Sequence, residues 1–524
     1  MSAAVASSAS SAPLHERITP VVRTIVTVCV MLATLMQALD STIANVALPY
    51  MQGSLSANSD QINWVLTSYV IAAAIMTAPV GWLAARFGPK NVLAVSLIGF
   101  TVTSMLCGIA GNIGEMVIFR FLQGVFGAAL VPLSQSTLLN IYSIEKRGGA
   151  MAVWGMGVML GPILGPTLGG YLTDLYNWRY VFFVNLPFGV AATIGVLFFM
   201  HNDKVAQTPR FDWTGFAILG IALAGLQLAL DRGETKGWFG SDEIITEAII
   251  AAVGFYLFIV HMLTSEKPLL PWGIFTDRNM LSGILMMFLV GLVLLSSSAL
   301  LAPYLQKLSG YSVRDAGLEM APRGFGTMGV MLLCGRIGMK IDVRLQMALG
   351  IALLILSLYW MTLWTPDVSS AWILTVIIVQ GAGLGFVFMP LQLIAFATLE
   401  PRLRGDGAAA MSLTRNVGMA IGTSVSAAIV TQMSQYEHAV LSYLVTPFAH
   451  VFTSESFNLI APSTPRGAEM MNGMIDRQAS IIGYNDAFKA LMLSSVPCFF
   501  LLLLMRKPKV AAKKSADEVH VAMD

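Results

Sequence analysis

Long apolar segments separated by short charged ones run through the whole chain. Several stretches contain no charged residue and are each long enough to cross a bilayer, which takes about 20 apolar residues. Five of them lie at residues 61–85, 91–114, 121–144, 148–173 and 279–306. With segments that contain one or two internal charges, there are fourteen candidate helices, at residues 24–48, 62–84, 91–110, 116–140, 149–172, 180–200, 213–230, 244–263, 280–305, 316–338, 346–364, 371–396, 407–433 and 485–505. The pattern predicts an all-α integral membrane protein.

The composition supports this class. Of the 524 residues, 56% are hydrophobic and 11% are charged, against about 25% charged in soluble domains, which excludes a water-soluble fold. The net charge of +2 gives no reason to expect nucleic-acid binding. The four cysteines lie in apolar stretches without the spacing of a disulfide framework or a metal site, so no metal is expected.

The basic residues are distributed asymmetrically. One set of alternate loops and both tails hold 20 of the 31 Lys and Arg, the opposite loops hold eight, and three lie inside spans. Because cytoplasmic loops carry the excess of Lys and Arg, both termini are expected in the cytoplasm. Residues 1–23 and 506–524 are expected to be cytoplasmic tails, the first without a signal-peptide cleavage site.

The chain contains an internal repeat. An offset of 257 residues aligns features over 85 residues without gaps: Gly81 with Gly338, Gln123-Gly124 with Gln380-Gly381, Arg147-Gly148 with Arg404-Gly405, and Gly161 and Gly165 with Gly418 and Gly422. This predicts two six-helix halves, at residues 24–200 and 280–505, with two helices inserted in residues 201–279. Parallel halves suit a transporter whose substrate site lies at their interface.

The fifth span carries a regular series of glycines and prolines. Every fourth residue is glycine at Gly157, Gly161, Gly165 and Gly169, and Pro162 and Pro166 share the interval. Four-residue spacing puts the glycines on one nearly straight ridge, on which another helix packs directly. Two prolines in one helix are costly unless a bend is required.

Asp40 is the only carboxylate well inside a confident span. Burial favours the neutral form of a carboxylate, so this group is a candidate for binding and releasing protons. Arg120 is its natural partner, because the two lie at about 12 and 8 Å from the outer ends of their helices. A carboxylate locked in a purely structural pair remains the alternative.

Further intramembrane residues are candidates for a substrate cavity. Together with Asp40 and Arg120, the cations Arg323 and Arg415 give a charge of about +2, which favours anionic or neutral amphiphiles unless Glu319, one turn from Arg323, neutralises it. The other polar and aromatic candidates are Gln37, Asn45, Trp64, Gln123 and Gln380. Aromatic residues in such helices are more often packing residues.

Several motifs resemble those of one family. The sequence of residues 161–170, GPILGPTLGG, resembles the antiporter motif gxxxGPxxGG of the major facilitator superfamily, and residues 81–90 resemble its cytoplasmic loop signature GxLaDrxGrk. Residues 120–124 resemble its fourth-helix motif RxxqG. Residues 39–49 and 178–187 resemble signatures of its fourteen-span drug:proton antiporters. The combination is similar to the EmrB-type multidrug efflux permeases.

The resemblance implies a major facilitator fold of fourteen helices (6+2+6) that exports drugs or other small amphiphiles across the inner membrane. It implies proton antiport, with the proton gradient as energy source and no cofactor. A periplasmic adaptor and an outer-membrane channel are possible partners, with residues 434–483 as the contact or as a passive loop. The implied cytoplasmic gate consists of Gly81, Arg86, Gly88, Asp342 and Arg344, where Ala85 replaces the usual Asp of the first half.

Two other functions stay open at this point. A proton-coupled importer or facilitator of a small organic solute has the same fold, and only the antiporter motif argues against it. A non-transporting membrane sensor or scaffold is the second. An enzyme is not expected, because the chain has no Gly-Lys dipeptide of a P-loop and neither an HExxH nor a GxSxG motif.

Overall fold

The computed structural model describes residues 18–143, 146–201, 210–337, 341–444 and 465–506. In these ranges there are no strands. Apart from the short helix Gly273–Thr276 and two 3₁₀ turns, the helices form fourteen continuous or interrupted units at the positions of the fourteen predicted spans. The first seven are α1 (Pro20–Ser54), α2 (Ser59–Thr77 and Val80–Phe87), α3 (Pro89–Ile109), α4 (Ile113–Gly127 and Leu130–Ile141), α5 (Arg147–Leu175), α6 (Tyr180–Phe183 and Asn185–Phe199) and α7 (Trp213–Lys236). The others are α8 (Asp242–Thr264), α9 (Arg278–Pro303, extended by a π turn at Tyr304–Leu308), α10 (Val313–Met320 and Pro322–Ile337), α11 (Val343–Met361), α12 (Ser370–Ala395), α13 (Arg404–Leu444) and α14 (Pro465–Ser495 and Pro497–Leu504).

Five of these helices are interrupted. The two pieces of α2 are bent by 56° at Ala78 and Pro79. The breaks in α10 and α14 likewise precede Pro322 and Pro497. Proline lacks the backbone N–H and disfavours a helical residue before it, so these breaks follow from the sequence.

Eleven of the described helices are long and apolar enough to cross a membrane, or twelve if the bent α2 is one span. Neither piece of α10 reaches 18 residues, and four side chains of α5 lie outside the described part. A total of fourteen spans therefore stays a prediction, with which the order of the helices agrees.

Helix packing follows the internal repeat. In the first half α1 packs on α5 and α6, and α4 on α2 and α3. In the second half α9 packs on α13 and α14, and α12 on α10 and α11. Each pair recurs eight helices later, as two equivalent six-helix halves require. The limits of the halves, at residues 24–200 and 280–505, stay predictions.

The inserted helices α7 and α8 pack on each other, and α7 also contacts α2 and α13. Three hydrogen bonds join its last turns to both halves. Thr67 of α2 donates to Asp231 at 2.7 Å, Ser424 of α13 donates to the carbonyl of Leu230 at 2.7 Å, and Thr431 donates to Glu234 at 2.6 Å. Thus α7 bridges the two halves near the end of α7.

The segment expected to be a loop, residues 434–483, is helical wherever it is described. Helix α13 continues to Leu444 and α14 begins at Pro465; residues 445–464 lie outside the described part. Gly483 lets α14 approach Val430 and Ser434 of α13, and His438 lies 3.1 Å from Asn472. The prediction of a loop was therefore wrong for residues 434–444 and 465–483, because helices of mixed polarity that pack on each other need no long apolar run.

Candidate functional site

Asp40 of α1 and Arg120 of α4 form an ion pair in the first half. Arg120 Nη1 lies 2.7 Å from Asp40 Oδ2, and both side chains are completely buried. The depth argument from the sequence therefore placed the two groups correctly, and their role in proton coupling stays a prediction.

Both members of the pair have further partners. Gln123 Nε2 and Asn185 Nδ2 donate to Asp40 Oδ1 at 2.9 and 3.2 Å. Arg120 donates to the oxygen of Gln123 at 2.8 Å and to the carbonyl of Val65 in α2 at 3.0 Å. The network joins α1, α2, α4 and α6, so a change in the charge of Asp40 alters hydrogen bonds that connect these four helices.

Aromatic rings enclose the guanidinium. Its carbon lies 4.3 Å from the ring centre of Tyr69 and 5.7 Å from that of Phe182. Such contacts stabilise a desolvated cation. Because both side chains are completely buried, the ion pair is shielded from solvent in this conformation.

The sequence did not identify Asn185, Val65 or Tyr69 as members of this network. Asn185 lies in residues 178–187, which were noted only as a family signature. The available signal was an amide residue at the start of an otherwise apolar helix, α6, where a buried side chain needs a polar partner.

The other predicted cavity residues are less closely connected. Gln37 lies 3.4 Å from the Tyr69 hydroxyl at the edge of the network. Asn45 and Trp64 are exposed, and no described hydrogen bond joins them to it. Gln380 is fully buried, its amide lies 3.9 Å from the sulfur of Met361, and its oxygen has no partner among the described residues.

The glycine ridge of α5 packs against α1. A Cβ atom at Gly161 would overlap the backbone of Ala38, and one at Gly165 would overlap Thr42. Thr42 also donates to the carbonyl of Gly161 at 3.1 Å. Gly169 meets Ile43, whereas a Cβ at Gly157 would come no closer than 3.8 Å to Met31.

The ridge lies within one half, where it supports the turn of α1 that carries Asp40. Gly418 and Gly422 of α13 pack on the backbone of α9 in the same way. Pro162 and Pro166 lie in α5, but their side chains are outside the described part.

The halves meet on the terminal face, which we define as the side where α1 begins and α14 ends. A Cβ at Gly81 of α2 would overlap the carboxylate of Asp406 at the start of α13. Gly88 joins α2 to α3 with φ of 85°, a conformation that favours glycine. Gly81 thus meets Asp406 of the other half rather than Asp342.

The remaining residues predicted for the gate have other surroundings. Arg86 is exposed. Asp342 accepts a hydrogen bond from the backbone N–H of Arg344 at 3.2 Å, at the start of its own helix α11. These contacts stabilise the loop of the second half and do not themselves bridge the halves.

Three contacts that the sequence did not predict close this face. Arg404 of α13 donates to Asn140 of α4 at 2.9 Å, and the rings of Trp154 and Phe388 stack at 6.0 Å. Gln135 donates to Gln392, which lies 257 residues further along the chain. These two buried glutamines are therefore equivalent in the repeat. That offset was the signal from which the sequence could have revealed them.

In the second half, Arg323 of α10 and Arg415 of α13 are buried cations. Arg323 donates to Ser297, Ser298 and the carbonyl of Leu294 in α9. Arg415 lies where α13 crosses Gly291 of α9. Glu319 accepts a hydrogen bond from Ser370 and forms no ion pair with Arg323 in the described part.

Comparison with known proteins decides the family. The family model of the Major Facilitator Superfamily matches residues 30–423. The chain belongs to the major facilitator superfamily. Among its superfamily relatives, the multidrug export protein EmrB of Escherichia coli is 36% identical over 81% of this chain and 83% of its own length. The fatty acid resistance protein FarB of Neisseria gonorrhoeae is 34% identical over 89% and 92%.

Solved superfamily structures have the same fold. The human organic anion transporter MFSD10 aligns with a TM-score of 0.57 over 92% of this chain and 98% of its own, at 14% identity. A bacterial homolog of the human lysosomal transporter Spinster aligns with a TM-score of 0.53 at 16% identity, over 93% and 98%. The predicted all-α major facilitator fold is confirmed, and the chain is a multi-pass membrane transporter.

Proposed function

We propose that the protein exports drugs and other small amphiphiles in exchange for protons, with Asp40 as the proton carrier. The observation that carries the proposal is the buried Asp40–Arg120 pair, joined by Gln123 and Asn185. The names of its relatives, which describe multidrug export and fatty acid resistance, support export as the direction.

The network suggests how a proton would change the conformation. Protonation of Asp40 removes its attraction to Arg120, whose charge then needs other acceptors in a medium of low dielectric. Because Arg120 also holds Val65 of α2, its movement changes the packing of α1 against α2 and α4. Proton and substrate then bind to alternate states of the transporter. The proton gradient is the energy source, and no cofactor takes part.

The test uses purified protein in liposomes that contain a pH-sensitive dye. We expect that addition of a transported amphiphile drives protons out of liposomes that contain the wild type, so that the pH inside them rises. We expect Asp40→Asn to abolish this proton release. Asp174→Asn is the matched control, because Asp174 is exposed near the end of α5 and accepts a hydrogen bond from the exposed Tyr50 at 3.3 Å. Proton release by Asp40→Asn at the control's rate would overturn the proposal.

We assign the protein to the inner membrane with both termini in the cytoplasm. The support is the excess of Lys and Arg in the loops of the terminal face. In this orientation, the structure is closed on the cytoplasmic side by the contacts of Gly81, Arg404 and Gln135.

We also propose that the ends of α13 and α14 dock a periplasmic adaptor, through which substrate reaches an outer-membrane channel. Helix α13 has 41 residues, or about 60 Å, twice the thickness of the hydrocarbon core. Tyr436 and Tyr443 are exposed on its outer end at 62% and 83%.

The docking site is tested with the double variant Tyr436→Ser and Tyr443→Ser. We expect this variant to lower the drug resistance of cells, while its transport in liposomes stays normal. Unchanged resistance would contradict the docking site.

A further inference from the structure

The second half contains a modified copy of the proton site. Ser297 of α9 follows Asp40 by 257 residues, the offset of the repeat, and it is 1% exposed. Ser297 accepts a hydrogen bond from Arg323 Nη2 at 3.0 Å. A buried guanidinium therefore contacts the equivalent position in both halves, from α4 in the first half and from α10 in the second.

The two copies differ in their charge balance. In the first half Asp40 neutralises Arg120. In the second half Ser297 and Ser298 offer only neutral hydroxyls, and no carboxylate lies within 4.0 Å of Arg323 in the described part of the chain. Arg323 is 8% exposed, and a buried cation without a counter-ion is unfavourable. The second half thus holds a cation that lacks the anion its counterpart has.

The guanidinium of Arg323 retains N–H groups that can donate hydrogen bonds to such an anion. Arg323 uses three hydrogen bonds, to Ser298, Ser297 and the carbonyl of Leu294, whereas a guanidinium has five N–H groups. Ser298 is only half-buried, so the site opens on its side. The remaining N–H groups can donate to a carboxylate or sulfonate oxygen in a charge-assisted hydrogen bond.

We propose that Arg323, with Ser297 and Ser298, binds the anionic group of an amphiphilic substrate, which takes the place that the Asp40 carboxylate has in the first half. This inference rests on the proposed export function and adds that organic anions are among its substrates, with a binding site of their own. The two halves then have different roles: Asp40 of the first half binds the proton, and Arg323 of the second half binds the anionic group of the substrate.

The test compares two permanently charged probes, the anion taurocholate and the cation tetraphenylphosphonium. Uptake of each is measured in everted vesicles with an imposed proton gradient. For Arg323→Gln we expect the KM for taurocholate to rise about tenfold or more, the effect of a lost charge-assisted bond, with tetraphenylphosphonium uptake unchanged. Arg323→Lys, which keeps the charge, should restore most of the taurocholate uptake.

A second variant tests the same site without removing the arginine. Ser297→Asp supplies an internal carboxylate, as Asp40 does in the first half, and should abolish taurocholate uptake but not tetraphenylphosphonium uptake. Ser297→Ala is its matched control, because it removes only the hydroxyl, and it should have a smaller effect. Taurocholate uptake that survives in Ser297→Asp would overturn the assignment.

The outcomes separate this inference from the proposed function. If wild-type vesicles accumulate neither probe, the export function fails. If the wild type accumulates at least one probe, but Arg323→Gln lowers the uptake of both equally or of neither, the proposed anion site is contradicted and the export function is not. A lipid headgroup is the other source of such an anion. Loss of bound phosphatidylglycerol from Arg323→Gln in native mass spectrometry, with unchanged taurocholate uptake, would also overturn the substrate assignment.

Discussion

At the scale of single residues, the stability of the buried pair Asp40–Arg120 affects how the coupling experiment is interpreted. Removing one partner of a buried pair leaves an uncompensated charge and costs about 3–5 kcal/mol. Asp40→Asn alone could therefore stop transport simply by unfolding the protein. The double variant Asp40→Asn with Arg120→Gln removes both charges, and we expect its thermal unfolding temperature to lie closer to the wild type than that of either single variant.

The double variant keeps the coupling experiment decisive. It should remain as incapable of proton release as Asp40→Asn, because neither variant retains a proton carrier. A double variant that is both stable and coupled would show that Asp40 serves only the packing of the first half.

How far the sequence predicts the site depends on the residue. Asp40 and Arg120 could be paired because helix depth follows directly from residue counting. The partners of Asn185 and Asp406 could not be predicted in this way, because they depend on the rotation of α6 and α13 about their own axes. The sequence of a mostly apolar helix does not indicate that rotation. Gly81 was identified, but its partner in the other half was not.

At the scale of helices, the contact between α5 and α1 links the antiporter motif to the proton site. The glycines were predicted to form a packing ridge, and they do; the sequence could not say which helix would lie on it. Ala38 and Thr42, which the ridge contacts, flank Asp40 on α1. The motif therefore sets the position of Asp40 relative to Arg120.

This link predicts a graded effect along one helix. Gly161→Ala would push the new Cβ into the backbone of Ala38, so we expect loss of proton release and a lower unfolding temperature. Gly157→Ala is the matched control, since its Cβ would have ordinary contact at 3.8 Å with Met31. Both are measured in the liposome assay; equal rates for the two variants would argue against a positioning role of the ridge.

At the scale of the whole molecule, the structure is joined on the terminal face by residues related through the repeat. Gln135 and Gln392 are equivalent in the two halves and bond to each other. Such a pair exists only while the halves are closed on this side. The repeat itself was predictable from the sequence, whereas the conformation in which its halves meet was not.

The glutamine pair predicts a shift in conformation. We expect Gln135→Ala to weaken the closed terminal face and to favour the state open to the cytoplasm, because a single hydrogen bond contributes about 1 kcal/mol. Labelling of a cysteine introduced at Gly155, which packs against Met331 of the other half, should accelerate about fivefold. Gln227→Ala is the control, because that glutamine donates to Asp231 on its own helix α7 at 2.8 Å, away from the terminal face. Equal labelling rates for the two variants would exclude a role of the Gln135–Gln392 bond in holding this face closed.

The bridge made by α7 has a consequence for how amphiphiles reach the transporter from the lipid. Among the contacts between the halves, α2 packs on α13 and α5 packs on α10. Helix α7 covers the first with the bonds of Asp231, Leu230 and Glu234. In the described part of the chain, neither α7 nor α8 packs on the second. If amphiphiles enter sideways from the membrane, we therefore expect them to pass between α5 and α10, and Arg323 lies on the second of these helices.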